Sequence, residues 1–96
     1  MIRHTVIFRL KHRRGSQQER DFLERAQELA AIPTVKKFEV LRQVSSKNEY
    51  DFGLSMEFDS QDNYDFYSSH EDHEHFVQQY WLKEVESFME IDYVKV

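Results

Sequence analysis

The residues of this sequence that could do chemistry are concentrated between positions 67 and 75. His70, His73 and His75 follow one another as H-x-x-H-x-H, and Tyr67 precedes them. A histidine with a pKa of about 6.5 can take up or return a proton at neutral pH. A tyrosine hydroxyl beside it can donate a hydrogen bond to a carbonyl oxygen and stabilise a developing enolate. Tyr67 and a histidine of this block are therefore a candidate catalytic acid–base pair, and spacing alone does not fix the direction of His73 if a helix break precedes it.

A reaction at that pair would need a pocket with apolar walls. The first residues of the chain alternate between apolar and polar, and this strand pattern puts His4 on the same side as Val6 and Phe8. We therefore expect His4 to form part of a pocket wall. Trp81, in a later helical run of apolar residues, and His70, in the histidine block itself, are candidate ligand-binding residues.

Two other interpretations of the histidine block remain open. In the structural one, the polar atoms of Tyr67, His70 and His73 cap a break between two helices and satisfy buried carbonyl groups. In the metal-binding one, the histidines act together with neighbouring carboxylates. The block lacks the H-E-x-x-H pattern of zinc-dependent hydrolases, so we expect no metal. No glycine-rich phosphate loop or nucleotide fingerprint predicts a cofactor either.

Length and composition exclude several classes of protein. The chain has 96 residues, a net charge of −5, no Cys and 15% aromatic residues. This length predicts one domain over residues 1–96, and the aromatic content argues against disorder. The longest apolar run is residues 29–32, against about 20 residues for a membrane span. Net acidity argues against nucleic-acid binding. We expect a cytoplasmic protein with neither nucleic-acid nor membrane partners.

Hydrophobic periodicity predicts four strands and two helices. Ser16 and Glu19 have the spacing of a capping box and mark the start of the first helix, which Pro33 ends. Ser60 is the expected cap of the second helix, which should break near residues 71–72. The strands are expected at residues 2–10, 35–43, 50–58 and about 89–96. This β-α-β-β-α-β order predicts a ferredoxin-like α+β fold, in which both helices cover one face of a four-stranded antiparallel sheet.

The sheet face away from the helices carries both signs of charge. Arg3, Arg9 and Lys37 are expected there together with Asp51 and Glu57. Such a face is either wet or packs against the same face of a second copy. Exposed ion pairs contribute only about 0–1 kcal/mol each. Composition alone therefore leaves monomer and homodimer equally open.

Four stretches of the sequence resemble the stress-responsive dimeric α/β-barrel (Dabb) family, in an order and spacing that cover nearly the whole chain. Residues 2–10, with their early histidine, are similar to the family's first strand. Residues 31–35 (A-I-P-T-V) resemble its Ile-Pro-Gly-Val turn, and residues 50–52 (Y-D-F) resemble its third strand. Residues 67–73 (Y-S-S-H-E-D-H) are similar to its Tyr-x-x-His-Pro-x-His block.

The resemblance implies a ferredoxin-like protomer whose sheets pack into a homodimeric two-fold barrel. Many members have no assigned activity, which implies a stress-linked structural or small-molecule-binding module with a small apolar or aromatic ligand. One plant member is a cofactor-independent polyketide cyclase whose tyrosine–histidine pair matches Tyr67 and His73, and whose first-strand histidine matches His4. Phe52 stands where that cyclase has another pocket histidine, which makes Phe52 a candidate ligand-binding residue. The implied alternatives are a cyclase, isomerase or lyase acting on an enolisable compound, or a cofactor-free monooxygenase.

Overall fold

A computed structural model describes all residues of the chain, Met1–Val96, as a four-stranded sheet covered by helices on one face. The strands pair antiparallel in the order β2-β3-β1-β4. This order confirms the ferredoxin-like fold. The elements are β1 (Ile2–Leu10), α1 (Gln17–Gln27) with a 3-10 extension (Glu28–Ala31), β2 (Lys36–Arg42), β3 (Phe52–Phe58), α2 (Gln61–Ser69), α3 (Glu71–Phe76), a π turn (Val77–Trp81), a last helical turn (Leu82–Glu84) and β4 (Val85–Tyr93).

Helix α1 begins as the capping box predicts. The Ser16 hydroxyl accepts a hydrogen bond from the Glu19 backbone N–H at 3.2 Å, and the Glu19 carboxylate accepts one from the Gly15 N–H, also at 3.2 Å. One donor that the first helical turn leaves unpaired, the Glu19 N–H, and one donor of the preceding turn, the Gly15 N–H, are satisfied in this way. The apolar side of the helix, with Phe22 and Ala26, is buried against the sheet.

The second helical segment breaks at a single residue, His70, just before the predicted position. Extended backbone at His70 (φ −65°, ψ 138°) ends α2 and begins α3. Its imidazole Nδ1 accepts a hydrogen bond from the Asp72 N–H at 3.1 Å, as a capping side chain does. The break turns α3 relative to α2, so residues on its two sides are not placed by the spacing of one continuous helix.

Strand β4 begins at Val85, so the prediction of a last strand from about residue 89 is wrong. The spacing of Val85 and Phe88 from Trp81 also suits a helical period, which is why the sequence pattern favours a longer helix and a later strand. In the structure the helical segment ends at Glu84, and the ladder with β1 pairs Leu10 with Val85 and Phe8 with Phe88. Long-range pairing with a central strand satisfies the backbone groups of these residues better than one more exposed helical turn would.

The core lies between the helices and the sheet. Its largest fully buried side chains are Phe8, Phe22, Ile32, Met56 and Phe58. Aromatic contacts hold this layer together, for example between Phe8 and Phe22 with ring centroids 5.7 Å apart. No helix combines the length and the apolar character needed to cross a bilayer.

Candidate functional site

A cavity of about 280 Å³ opens between the helix-facing side of the sheet and the second helical segment. Most of its lining is apolar, which is typical of a small-molecule site. A wider cleft of about 550 Å³ runs past Arg3, Glu57 and Tyr93, but it contains no histidine. The smaller cavity is lined by His4, Val6, Leu29, Leu54, Tyr67, His73, Phe76, Val77, Trp81, Leu82, Phe88 and Glu90.

Tyr67, on α2, lines this cavity. Its side chain is packed into the core and only 3% of the residue is exposed. The hydroxyl makes no hydrogen bond within the chain, yet no fully buried side-chain oxygen lacks a partner. The hydroxyl oxygen is therefore not sealed inside the protein, and Tyr67 is one of the residues that line the cavity. Burial, reinforced by the charge of Glu90, raises the pKa of Tyr67, so the group is a protonated hydrogen-bond donor at neutral pH.

His73, on α3, is held by its Nδ1 atom and leaves its Nε2 atom free. Nδ1 lies 3.0 Å from the Ser68 carbonyl oxygen. A carbonyl oxygen only accepts, so Nδ1 carries the hydrogen and Nε2 carries the lone pair. Burial lowers the pKa of His73 although the Ser68 hydrogen bond raises it, which favours the neutral ring. The rings of His73 and Tyr67 are in contact, with centroids 4.4 Å apart.

His4 lies on the sheet side of the cavity and is fixed by two residues that sequence reasoning missed. Asp92 on β4 places Oδ1 2.6 Å from His4 Nδ1, and its Oδ2 accepts a hydrogen bond from the Tyr64 hydroxyl at 2.8 Å. The Tyr64 oxygen is also 2.8 Å from His4 Nδ1. An ionised carboxylate only accepts, so the His4 hydrogen sits on Nδ1. Burial, together with Asp92, raises the pKa of Tyr64.

The structure brings some of the sequence-predicted site residues together and separates others. Tyr67, His73, His4 and Trp81 line one cavity, with Trp81 supplied by the π turn. The candidate ligand-binding residues Phe52 and His70 do not line it. Phe52 is buried in the core beside Phe8, with ring centroids 5.7 Å apart, because its strand position faces the α1 side. His70 is occupied in capping α3.

No three His, Asp or Glu side chains converge as a metal ion would require.

The residues that sequence reasoning missed share one strand face. Phe88, Glu90 and Asp92 on β4 lie opposite Phe8, Val6 and His4 on β1, and so face the helices. The signal that could have found them was the alternation of β4. That alternation was ambiguous by one residue, because apolar side chains lie on both faces: Phe88 on one, and Met89, Ile91 and Tyr93 on the other.

Comparisons with known proteins agree with this fold. The model of the stress responsive A/B barrel domain (Dabb) family matches residues 2–95. A Dabb family protein of Mesorhizobium loti with a ferredoxin-like fold is 52% identical, with a TM-score of 0.98, and the match covers 99% of this chain and 96% of that one. No curated protein matches the sequence.

Two more distant structures share the fold alone. A dimeric ferredoxin-like protein of unknown function from Thermobifida fusca is 22% identical, with a TM-score of 0.81, over 98% of this chain and 90% of that one. A hydroxynitrile lyase from Passiflora edulis is 15% identical, with a TM-score of 0.85, over 99% of this chain and 93% of that one.

Proposed function

The chain belongs to the stress responsive A/B barrel domain (Dabb) family, and for this member we propose binding of a small, largely apolar carbonyl compound in the cavity, followed by proton transfer at the carbon next to the carbonyl. Such a step belongs to a lyase, isomerase or cyclase. The observation that carries the proposal is that Tyr67, whose hydroxyl has no hydrogen bond within the chain, and His73 line the same largely apolar cavity.

Each group has one role in this step. The Nε2 lone pair of His73 takes the proton, the C–H bond breaks, and its electron pair moves onto the carbonyl oxygen as an enolate. The protonated Tyr67 hydroxyl donates a hydrogen bond to that oxygen, where negative charge develops. The proton then returns from Nε2 to the same carbon or to another one. The apolar walls exclude water and strengthen both interactions.

The relatives support this chemistry only at the level of the fold. The Passiflora edulis protein is a hydroxynitrile lyase, so the fold hosts a lyase in that protein. A cofactor-free monooxygenase is the alternative that the shared architecture implies. The neutral imidazole of His73 and the protonated phenol of Tyr67 are suited to proton transfer, and we therefore favour that reaction over oxygenation.

Deuterium exchange at acetophenone tests the proposal. The methyl protons next to the carbonyl are lost from the proton NMR spectrum in D₂O when an enzyme enolises the ketone. We expect the wild type to accelerate this loss. His73→Ala should abolish the acceleration by removing the base. His75→Ala is the matched control, because His75 lies outside the cavity, against Tyr80.

The outcomes separate the two functions expected from the sequence. Exchange that depends on His73 but not on His75 supports the enzyme. Binding without exchange would contradict it and would favour the small-molecule-binding module. If His73→Ala unfolds the protein, as circular dichroism would show, His73→Gln provides a variant of similar size that lacks the imidazole base.

We also propose that the chain forms a homodimer through the open face of its sheet. The register places Leu41, Gly53, Ile7 and Met89 in one apolar row across all four strands. Leu41 and Met89 are 43% and 49% exposed, and the dimeric Thermobifida fusca relative shares the fold. The double substitution Leu41→Glu/Met89→Glu should give a monomer in light scattering, whereas Val44→Glu, in an exposed loop, should not. A wild-type monomer would contradict the dimer.

A further inference from the structure

Glu90 is the only residue in the cavity lining with a carboxylate, and the lining has no Lys or Arg. It lies on β4 between Phe88 and Asp92, which face the helices as Glu90 does. Asp92 is occupied by Tyr64 and His4. Glu90 has neither a hydrogen bond nor an ion pair within the chain, in contrast to Glu86 on the same strand, which pairs with Arg9 at 3.2 Å.

The charge of Glu90 affects the pKa values of two residues that line the cavity. It contributes to raising the pKa of Tyr67, and it acts in the same direction on the pKa of His73, against the larger effect of burial. Glu90 is itself exposed, so water partly screens its charge, but an unpaired carboxylate in the lining of an apolar cavity still attracts cationic groups and repels anionic groups of a ligand bound within a few ångströms of it. A ligand with its own carboxylate would have to place it in this field without a cation to compensate.

We propose that Glu90 selects the charge of the ligand, so that the cavity takes an aromatic or aliphatic carbonyl compound bearing an ammonium group and rejects the corresponding carboxylate. The inference rests on the proposed function, since it assumes that the cavity is the binding site.

Two aromatic rings beside Glu90 reinforce this preference. Trp81 and Phe88 line the same cavity and contact each other edge to face, with ring centroids 5.5 Å apart. The face of an indole or phenyl ring attracts a cation. Phe88 is half exposed, which puts this part of the lining near the mouth of the cavity. An ammonium group would therefore be bound near the mouth, with the carbonyl end of the ligand directed inwards to Tyr67.

Three isosteric probes test the selection at pH 7. They are acetophenones with a para substituent that is cationic (aminomethyl), neutral (hydroxymethyl) or anionic (carboxylate). Trp81 is the only tryptophan of the chain, so its indole N–H resonance reports binding in the cavity directly. We expect the cationic probe to bind at least about tenfold more tightly than the anionic one, with the neutral probe between them.

Glu90→Gln removes the charge and keeps the shape. It should bring the affinities of the cationic and anionic probes to within about threefold of each other and leave the neutral probe within about twofold of the wild type. Glu86→Gln changes the net charge of the chain equally on the same strand, away from the cavity, and should leave the order of the probes unchanged.

The outcomes distinguish this inference from the function on which it rests. If none of the three probes shifts the Trp81 resonance, the cavity is not a binding site and both proposals fail. If the probes bind with equal affinity, or the anionic one binds most tightly, the selection by Glu90 is wrong while the site stands. Equal effects of Glu86→Gln and Glu90→Gln would also contradict the selection by Glu90, because the affinities would then depend on the net charge of the chain and not on the position of Glu90.

Discussion

Two tyrosine–histidine pairs lie in this part of the molecule and differ in what their polar atoms do: both members of Tyr67–His73 line the cavity, whereas only His4 of the pair Tyr64–His4 does. In the pair Tyr64–His4, the hydroxyl and the Nδ1–H each donate a hydrogen bond to Asp92, and the two donor atoms lie 2.8 Å apart. In the pair Tyr67–His73, the hydroxyl has no partner and only Nδ1 is bonded, to the Ser68 carbonyl. The same residue types thus form a closed hydrogen-bond network in one pair and leave a donor and a lone pair without partners in the other.

This difference in hydrogen bonding shows that residue type alone does not identify a group available for reaction in this fold. A closed network holds its members in one geometry and contributes to stability. An open donor and an open lone pair beside an apolar space cost stability and are available to a ligand. Substitutions that change one pair at a time separate the contribution to stability from the availability to a ligand.

The largest expected effect concerns exchange of acetophenone protons. Tyr67→Phe removes the hydrogen bond to the developing enolate and should slow the exchange by about 100-fold. Tyr64→Phe removes a hydroxyl of the closed network and should change the rate by less than about threefold, provided that the protein remains folded. Proton NMR in D₂O measures both rates. Equal losses in the two variants would contradict the division of roles.

The next effect concerns stability and runs in the opposite order. Asp92→Ala leaves the His4 imidazole, which is 5% exposed, and the Tyr64 hydroxyl without their acceptor. We expect the free energy of unfolding to fall by about 1–3 kcal/mol. Tyr67→Phe breaks no hydrogen bond within the chain and should change this free energy by less than about 0.5 kcal/mol. Urea unfolding followed by Trp81 fluorescence compares them, and a larger loss for Tyr67→Phe would contradict the comparison.

The sequence predicts the open pair better than the closed network, and the reason is the length scale of each signal. Tyr67 and His73 lie within one short block whose residue types are visible at once. The network joins Asp92 to His4 across 88 positions and depends on the register of β1 with β4. The sequence predicts that β4 starts at about residue 89, four residues later than its start at Val85 in the structure. With that start, the pattern does not identify Glu90 and Asp92 as residues that face the helices.

The fold is more predictable because its signals are repeated. The capping box at Ser16, the cap at Ser60 and the alternation of β1 agree with one another, and all three are present in the structure. Because several independent signals agree, the predicted fold remains correct even when one predicted element boundary is wrong. A site does not, because a shift of one residue in a strand turns every side chain to the other face.

A third prediction uses pH and acts on His73. The exchange needs the neutral ring, so its rate should be constant above the ordinary histidine pKa of 6.5 and should fall in proportion to the neutral fraction at lower pH. Burial lowers the pKa of the folded state, so the fall should begin below 6.5. The raised pKa of Tyr67 predicts no loss on the alkaline side up to pH 10.

The same pKa shift predicts a loss of stability in acid. Below pH 6.5 the unfolded chain binds a proton at His73 that the folded chain resists, so the free energy of unfolding falls as the pH drops from 6.5 to the lower pKa of the folded state. His73→Gln should remove this part of the pH dependence. Urea titrations of both proteins at pH 7.5 and 5.5 measure it, and parallel losses would contradict the assignment.

The smallest expected effect is that of zinc on thermal stability. A metal ion stabilises a fold according to its affinity for the folded state, and it needs converging ligands. The Nδ1 atoms of His70 and His73 are already engaged, with the Asp72 N–H and the Ser68 carbonyl, and no third ligand converges on them. Equimolar Zn²⁺ should therefore shift the melting temperature by less than about 1 °C. A rise of several degrees that His73→Gln abolishes would make the open pair a metal site, and the contrast between the two pairs would then be one of ligation.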